Sequence, residues 1–108
     1  MVGVLYLWVV VRLVRGGGYW NLVAPSGYRV PRGSLVDKFV KVYLRLPWCS
    51  KPLPLYARPH SVRGRTWLSL QKSLDPLMEY LRSKGINYLE AALPYEAEEA
   101  RVEDSSRQ

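Results

Sequence analysis

Few carboxylate side chains in this chain could take part in acid–base catalysis. Residues 1–94 hold four carboxylate side chains, Asp37, Asp75, Glu79 and Glu90. Asp37 and Asp75 each stand where a helix could begin, so capping explains them better than proton transfer does. The sequence predicts no pair of carboxylates that could meet and share the acid and base roles.

The remaining reactive side chains are one cysteine and one histidine, Cys49 and His60. They could form a nucleophile–base pair, but eleven positions of proline-rich chain separate them and no acid is identifiable to orient the histidine. One cysteine cannot form an intramolecular disulfide, and the two residues do not make a usual zinc site. We therefore expect no catalytic residues, no metal and no cofactor, and a reducing, cytoplasmic environment.

Charge is unevenly distributed along the chain. The net charge is +7, but residues 95–108 contain five acidic and two basic side chains, so residues 1–94, with 14 basic and four acidic ones, carry +10. A body of this charge attracts phosphate polymers, and such binding should weaken steeply with salt. The alternative is that these charges only keep the surface soluble.

Aromatic side chains accompany the positive charge. Residues 1–94 contain 12 of them, several next to Arg or Lys in segments expected to be irregular. Aromatic faces stack on unpaired bases while Lys and Arg follow the backbone, a combination suited to single strands and little dependent on sequence. The predicted contact residues are Tyr19, Trp20, Tyr28, Arg29, Arg32, Lys41, Arg45, Trp48, Lys51, Tyr56, Arg58, Arg63, Arg65 and Trp67.

These features predict non-catalytic, largely sequence-independent binding of single-stranded nucleic acid, with DNA preferred, in a basic cleft with stacking aromatic residues. The acidic tail would compete for that cleft or recruit partners. A second interpretation is an RNA-embedded structural protein, such as a ribosomal or ribonucleoprotein component. A third is a protein-interaction subunit that uses exposed aromatic residues as an oligomer interface.

The stretch 34–48 should position two of the predicted basic contacts. As a helix it would begin at a capping serine, carry Asp37 in its first turn and end at a proline, with its charged residues in one sector. As a strand, residues 40–46 alternate strictly between apolar and outward-facing side chains. We expect the helix, and Lys41 and Arg45 face solvent in either structure.

Residues 2–11 are uncharged, but the run is far shorter than the roughly 20 residues that span a bilayer. We therefore expect a buried strand and not a membrane span. The odd-numbered residues from Leu5 to Leu13 form an aliphatic face for the core. On the other face we expect Tyr6 and Trp8 to pack under a helix, the alternative being a half-covered aromatic surface.

The glycines at 16–18 should turn the chain into a hairpin of two short strands, 19–24 and 28–31. Residues 49–65 contain three prolines and no acid, and they predict a long functional loop. Aromatic and basic side chains from the hairpin and the loop would together make the binding surface.

A helix should begin at the Asp-Pro pair 75–76 and end near 83–85, and the residues before it either extend it through a kink or form a strand. Residues 86–93 should be a last strand that joins the N-terminal one. These elements predict an α+β fold, a small antiparallel sheet of about four strands with two or three helices, in one domain over 1–94. The acidic tail 95–108 would be frayed helix or disordered.

Three features of the chain resemble those of a known family. They are the N-terminal strand VGVLYLWVVV, the pairs Tyr19-Trp20 and Tyr28-Arg29, and the basic-aromatic segment 48–67. In these features and in size the chain resembles ThermoDBP and the ThermoDBP-related single-stranded-DNA-binding proteins of hyperthermophilic archaea. The resemblance implies an antiparallel sheet with helices, a basic and aromatic cleft, sequence-tolerant binding of single strands, and homo-oligomers. We expect a dimer or tetramer in the cytoplasm, associated with the nucleoid. The scarcity of Asn and Gln, two of each, agrees with a thermophilic source. The chain lacks the long C-terminal leucine zipper that would pair ThermoDBP proper.

Overall fold

Seven strands and one helix occur in residues 3–97, which are the residues that the computed structural model describes. The strands are β1 (Val4–Gly16), β2 (Tyr19–Val23), β3 (Leu35–Val36), β4 (Phe39–Arg45), β5 (Leu53–Val62), β6 (Arg65–Ser69) and β7 (Tyr88–Glu96). The helix α1 (Asp75–Ser83) follows directly on a 3-10 turn at Lys72–Leu74, and a second such turn at Arg32–Ser34 precedes β3. Of the predicted acidic tail, residues 98–108 lie outside the described part.

The strands form one antiparallel sheet that closes on itself. Around the barrel the order is β4, β5, β6, β2, β1 and β7, and β7 pairs again with β4, while β3 is an additional strand on β4. The α+β prediction is therefore wrong: this is a mostly-β fold, a closed six-stranded barrel with one extra strand and one helical segment. Closure gives strands a partner on both sides and removes most of the free edges of an open sheet.

Alternating side chains of the strands fill the barrel. Because successive residues of a strand point to opposite faces, every second residue turns inward. Met78 and Leu81 of α1 join the same core. The strand residues with at most 1% exposure include Val11, Leu13, Leu22, Val40, Val42, Leu44, Ala57, Leu68, Ala91 and Leu93.

The stretch 34–48 forms strands, so the predicted helix is wrong. β3 and β4 are joined by a two-residue turn at Asp37 and Lys38, where Asp37 has a φ of 64° instead of helical geometry. The alternative interpretation, alternation over 40–46, is confirmed, since Leu44 and the other inward residues of β4 are completely buried. β4 pairs with β5 on one edge and β7 on the other, and these distant partners decide between the two periodicities.

The segment 49–65 contains β5 and the turn into β6, so the predicted long loop is wrong. Its prolines suggested a loop because proline lacks the N–H that a strand ladder uses. β5 pairs with β4 over 53–57 and with β6 over 58–62, so each half has one partner strand. Pro54 lies in the first half and Pro59 in the second. Each proline nitrogen can face the strand edge that has no partner strand.

The helix predicted from the Asp-Pro pair is confirmed as α1, but Asp75 is its first residue and makes no capping hydrogen bond, so the predicted capping role is wrong. The helix ends at Ser83, and Gly85 follows the C-cap with a φ of 77° that lets the Ile86 N–H donate to the Leu81 carbonyl over 3.0 Å. The residues before α1 form β6 and a 3-10 turn, so the strand-then-helix alternative is correct and the kinked helix is not. Across residues 3–97, no helix has the length and apolar character needed to cross a membrane.

The predicted first and last strands are confirmed and pair with each other along β1 and β7. β7 runs on to Glu96, past the predicted end at Leu93. Val11 and Leu13 on the odd-numbered face of β1 are buried as expected, but Leu5 and Leu7 are exposed. They are exposed because β2 pairs with β1 only from Arg12 onward and leaves the N-terminal half without a second neighbour.

The predicted hairpin over 19–31 is half correct. β2 is its first strand, and the turn is present, with the Tyr28 N–H donating to the Pro25 carbonyl over 3.1 Å. Residues 28–31 form no strand, however. Tyr28 turns into the core instead, where its hydroxyl donates to the Pro94 carbonyl over 2.8 Å. The strands that flank β2 are β1 and β6.

Candidate nucleic-acid interface

The outer side chains of β4 are Phe39, Lys41, Tyr43 and Arg45. They point outward because the residues between them fill the barrel. Phe39 and Arg45 are exposed, while Lys41 and Tyr43 are half-buried. The Nζ of Lys41 lies 5.5 Å from the ring centre of Tyr43, within the range of a cation–π interaction.

Two aromatic residues of β1 approach this surface across β7. Tyr6 lies opposite Pro94, and Trp8 lies opposite Ala92. Ala92 in turn lies opposite Tyr43 on the far side of β7. Because alanine and proline project little above the sheet, they leave room for the β1 rings to lean over β7 towards β4.

Direct contacts join the β1 rings to β4. The Tyr6 hydroxyl donates to the Lys41 carbonyl over 2.8 Å, and its ring centre lies 5.3 Å from that of Tyr43 in an edge-on arrangement. The Arg45 guanidinium lies 4.3 Å from the ring centre of Trp8. Tyr6 and Trp8 are each 41% exposed, so both rings remain partly accessible to a ligand. The expectation that they pack under a helix is wrong, and the aromatic-surface alternative is correct.

β5 extends the surface on the other side of β4. Its outer residues Tyr56, Arg58 and His60 are exposed. Tyr56 lies opposite Lys41, and His60 lies opposite Trp67, with ring centres 6.2 Å apart. Rings and basic groups therefore continue from β1 across the barrel to β5.

We call this surface the aromatic-basic face. Among residues 3–97, Arg45 is the only member with an acidic partner, the Glu90 carboxylate 3.8 Å from its Nε. Both side chains of that pair are well exposed, so it is weak and leaves Arg45 able to meet another anion. The face consists of Tyr6, Trp8, Phe39, Lys41, Tyr43, Arg45, Tyr56, Arg58 and His60.

A groove of about 460 Å³ lies at one end of the aromatic-basic face, lined in part by Phe39, Arg58 and His60. Tyr19, exposed at the start of β2, forms another part of its wall. The Nζ of Lys72 lies 5.3 Å from the ring centre of Tyr19. The groove thus combines aromatic walls with basic groups and is within the size range of small-ligand pockets.

A hydrogen-bonded trio beside the groove orients His60. The buried Asn21 donates from Nδ2 to the carbonyls of Gly16, at 3.1 Å, and Tyr19, at 3.0 Å. Its Oδ1 is therefore a hydrogen-bond acceptor. The Ser69 hydroxyl donates to it over 2.7 Å, and His60 Nε2 lies 3.2 Å from it. All three groups are satisfied when Nε2 carries the proton, and a protonated Nε2 cannot take the proton of Ser69, 2.9 Å away. With this proton placement the trio holds the His60 ring in position beside the groove.

The Tyr6 hydroxyl has a pKa raised above its ordinary value of 10.0. The main cause is burial, which penalises the phenolate, and the nearby Tyr43 and Tyr56 add to it. The neutral hydroxyl is also the form that donates to Lys41. The folded protein therefore favours a protonated Tyr6 more strongly than the unfolded chain does.

Replacing Tyr6 with phenylalanine should make stability less sensitive to alkaline pH. In the wild type the unfolded chain ionises first, so the stability that Tyr6 contributes is present below about pH 10 and is lost as pH rises through the folded pKa. Urea unfolding at about pH 8 and about pH 11 measures this loss for both proteins. Tyr88→Phe, at an exposed position, is the control and should behave as the wild type. Equal alkaline losses in wild type and Tyr6→Phe would contradict the assignment.

The structure brings some of the predicted contact residues together on the aromatic-basic face or its groove. These are Tyr19, Lys41, Arg45, Tyr56 and Arg58. Trp67 lies beside them, half-buried against His60. Arg29 lines a second groove, of about 510 Å³, that also touches His60.

Trp20 and Tyr28 belong to the core instead, with 5% and 6% exposure. The guanidinium groups of Arg15 and Arg82 lie 5.7 and 5.8 Å from the Trp20 ring centre. Trp48 is exposed but packs edge-on against Tyr80 of α1, with ring centres 5.5 Å apart. The other predicted contacts are exposed at turns and strand ends, outside the nine residues of the face: Arg32, Lys51, Arg63 and Arg65.

Sequence reasoning missed five members of the face: Tyr6, Trp8, Phe39, Tyr43 and His60. The strand interpretation of 40–46 contained the signal for one of them, since it put Tyr43 on the same side as its two basic neighbours. For Tyr6 and Trp8 the signal was the even-numbered side of β1, which the expected helix was to cover. Because α1 contributes to the core elsewhere, that side is open to solvent.

Comparisons with models of known families, with curated proteins and with solved structures found no significant match. The resemblance to ThermoDBP-related proteins therefore stays a prediction from sequence. The sheet with helices that it implied differs from the closed barrel observed here.

Proposed function

We propose that this protein binds single-stranded nucleic acid on its aromatic-basic face, without catalysis or a cofactor. The observation that carries the proposal is the pairing of cations with half-exposed rings. The Arg45 guanidinium lies 4.3 Å from the Trp8 ring centre, and the Lys41 ammonium lies 5.5 Å from that of Tyr43. Such rings can stack on unpaired bases while the adjacent cations contact phosphates.

Charge supports the same proposal. Residues 3–97 contain 14 basic and five acidic side chains, and three of the basic ones, Lys41, Arg45 and Arg58, lie on the face. A concentration of positive charge raises the local concentration of a polyanion and speeds its association. Contacts of this kind release counterions, so affinity should fall steeply with salt.

The shape of the face favours single strands over duplexes. Duplex readers commonly insert a helix or a two-stranded ribbon into the major groove and present polar groups to base edges. In α1 the Arg82 side chain is already engaged with the Leu13 carbonyl, at 3.4 Å, and with the Trp20 ring. The rings of the aromatic-basic face instead require bases whose faces are free, as in single strands.

We place such a protein in the cytoplasm, associated with the nucleoid, with DNA as its preferred strand.

Titration of labelled oligonucleotides tests the proposal. Fluorescent oligo-dT, oligo-U and a duplex are titrated with the protein at about 50 and 200 mM salt. We expect the tightest binding to oligo-dT, a steep loss at the higher salt, and weak binding of the duplex. No salt-sensitive binding to any of the three would refute the proposal, and a preference for oligo-U with co-sedimentation on ribosomes would favour the RNA-embedded alternative.

A further inference from the structure

The N-terminal half of β1 has a strand partner on one edge only. β1 pairs with β7 from Val4 to Arg12, but with β2 only from Arg12 to Gly16. Within residues 3–97, no strand pairs with the second edge of 4–11. An unpaired strand edge is a template for another strand.

Two main-chain bonds identify the groups on this open edge. The Leu13 N–H donates to the Asn87 carbonyl, and the Ala97 N–H donates to the Gly3 carbonyl, each over 2.8 Å. Bonded and non-bonded pairs alternate along an antiparallel ladder. The odd-numbered residues of β1 therefore bond to β7, and the N–H and C=O groups of residues 4, 6, 8 and 10 point to the open edge.

The side chains along this edge are apolar and exposed. Val4, Leu5, Tyr6, Leu7, Trp8 and Val10 are each 39–58% exposed. Residues 4–11 contain no charge, although residues 1–94 carry +10. Edge strands that stay unpaired are normally protected by charged side chains, proline or a bulge. Residues 4–11 contain no charged side chain and no proline.

We propose that a second copy of this chain pairs antiparallel with β1 at this edge, about a two-fold axis at Leu7. The open segment runs from Gly3 to Val11, and Leu7 is its midpoint. In this register Tyr6 lies opposite Trp8 of the second copy, Val4 lies opposite Val10, and Leu7 lies opposite itself. The even-numbered residues exchange the bonds that each copy alone leaves open.

The register is constrained from both sides. A shift of one residue would place even-numbered residues opposite odd-numbered ones, whose main-chain groups are already used in pairing with β7. A shift of the axis to Trp8 would bring Arg12 opposite Val4, but Arg12 is already paired with Val23 of β2. The axis at Leu7 therefore gives the longest pairing that the open edge allows.

The edge also offers apolar surface to a second copy. At about 200 Å² for an aromatic side chain and less for Val and Leu, exposure near 40% leaves at most about 80 Å² on each of the six residues. Two copies thus offer at most about 1,000 Å², of which pairing covers the part next to the edge, so the main-chain bonds and this apolar surface stabilise the dimer together. The absence of charge over 4–11 also lets two strongly basic molecules meet without placing like charges opposite each other.

Pairing at this edge keeps the proposed binding surface accessible. Side chains of adjacent strands stand on either side of the sheet, so Tyr6 and Trp8 stay on its outer side. The two aromatic-basic faces would then meet edge to edge and form one longer surface. The dimer itself does not depend on nucleic-acid binding, and its tests use protein alone.

Cysteine crosslinking tests the register. In a Cys49→Ser background, Leu7→Cys should form an intermolecular disulfide on mild oxidation, because a non-bonded antiparallel pair has Cα atoms about 4.5 Å apart. Val9→Cys is the matched control on the same side of the strand. It lies opposite Leu5 of the second copy, and the two copies of residue 9 are about 13 Å apart, so it should not crosslink. No disulfide at residue 7, or equal yields at 7 and 9, would overturn the proposal.

A charge-swap experiment tests the axis in solution. Leu7→Lys and Leu7→Glu should each sediment as monomers, because each places like charges opposite each other at the two-fold. An equal mixture should restore the dimer as a Lys–Glu heterodimer, while wild type is dimeric throughout. Circular dichroism checks that both variants are folded. A monomeric wild type, or single variants that keep the dimer mass, would show that this edge is not the interface.

Discussion

Replacing Lys41 and Arg45 together with glutamine should weaken binding to oligo-dT about ten-fold at physiological salt. Each phosphate of a single strand that a cation neutralises steepens the dependence of log K on log salt by about 0.7, so the slope of the double variant should be shallower by about 1.4. Arg45 also lies on the Trp8 ring, so its replacement removes a cation from a predicted stacking site. Salt titrations of fluorescence anisotropy measure both quantities.

The matched control for that variant is Arg12→Gln with Lys84→Gln. It removes the same two charges, one arginine and one lysine, at exposed positions outside the aromatic-basic face. If binding is local to the face, the control should change affinity by less than about two-fold. If both double variants lose affinity equally, only the overall charge matters and the face has no special role.

Replacing Leu44 with alanine should lower the free energy of unfolding by about 3 kcal/mol. Leu44 is completely buried in β4, where its neighbours are Leu53 of β5 and Ala91 of β7. Truncation therefore removes a buried side chain and leaves a cavity between three strands. Urea unfolding monitored by tryptophan fluorescence gives the change.

This variant also distinguishes the barrel from the helix expected for the same stretch. A helix over 34–48 turns Leu44 towards its polar edge, where truncation costs little. Val36→Ala is the control, because Val36 is 65% exposed and should change stability by less than about 0.5 kcal/mol. A loss below about 1 kcal/mol for Leu44→Ala would contradict its place in the barrel.

The outward direction of Lys41 and Arg45 could be predicted because both periodicities of their segment put them on the polar side. The exposure of the aromatic residues could not. Trp20 and Tyr28 occur beside turn signals, as surface residues often do, yet both are buried. Tyr6 and Trp8 lie in the most apolar stretch of the chain, yet both are exposed. The exposure of a side chain depends on which elements pack together, and the neighbouring residues in the sequence do not determine that packing.

The sequence by itself determined the features that depend on local chemistry. An uncharged run predicted β1, the short segment between the helix stop and Pro94 predicted β7, an Asp-Pro pair and a glycine bounded α1, and the charges defined a basic body. Only the tertiary structure decided between helix and strand for 34–48, accommodated two prolines in β5, and closed the sheet into a barrel. The physical reason is that a strand is stabilised by pairing and burial against residues far away in the chain. Short-range patterns therefore left several structures open, and the distant partners selected one.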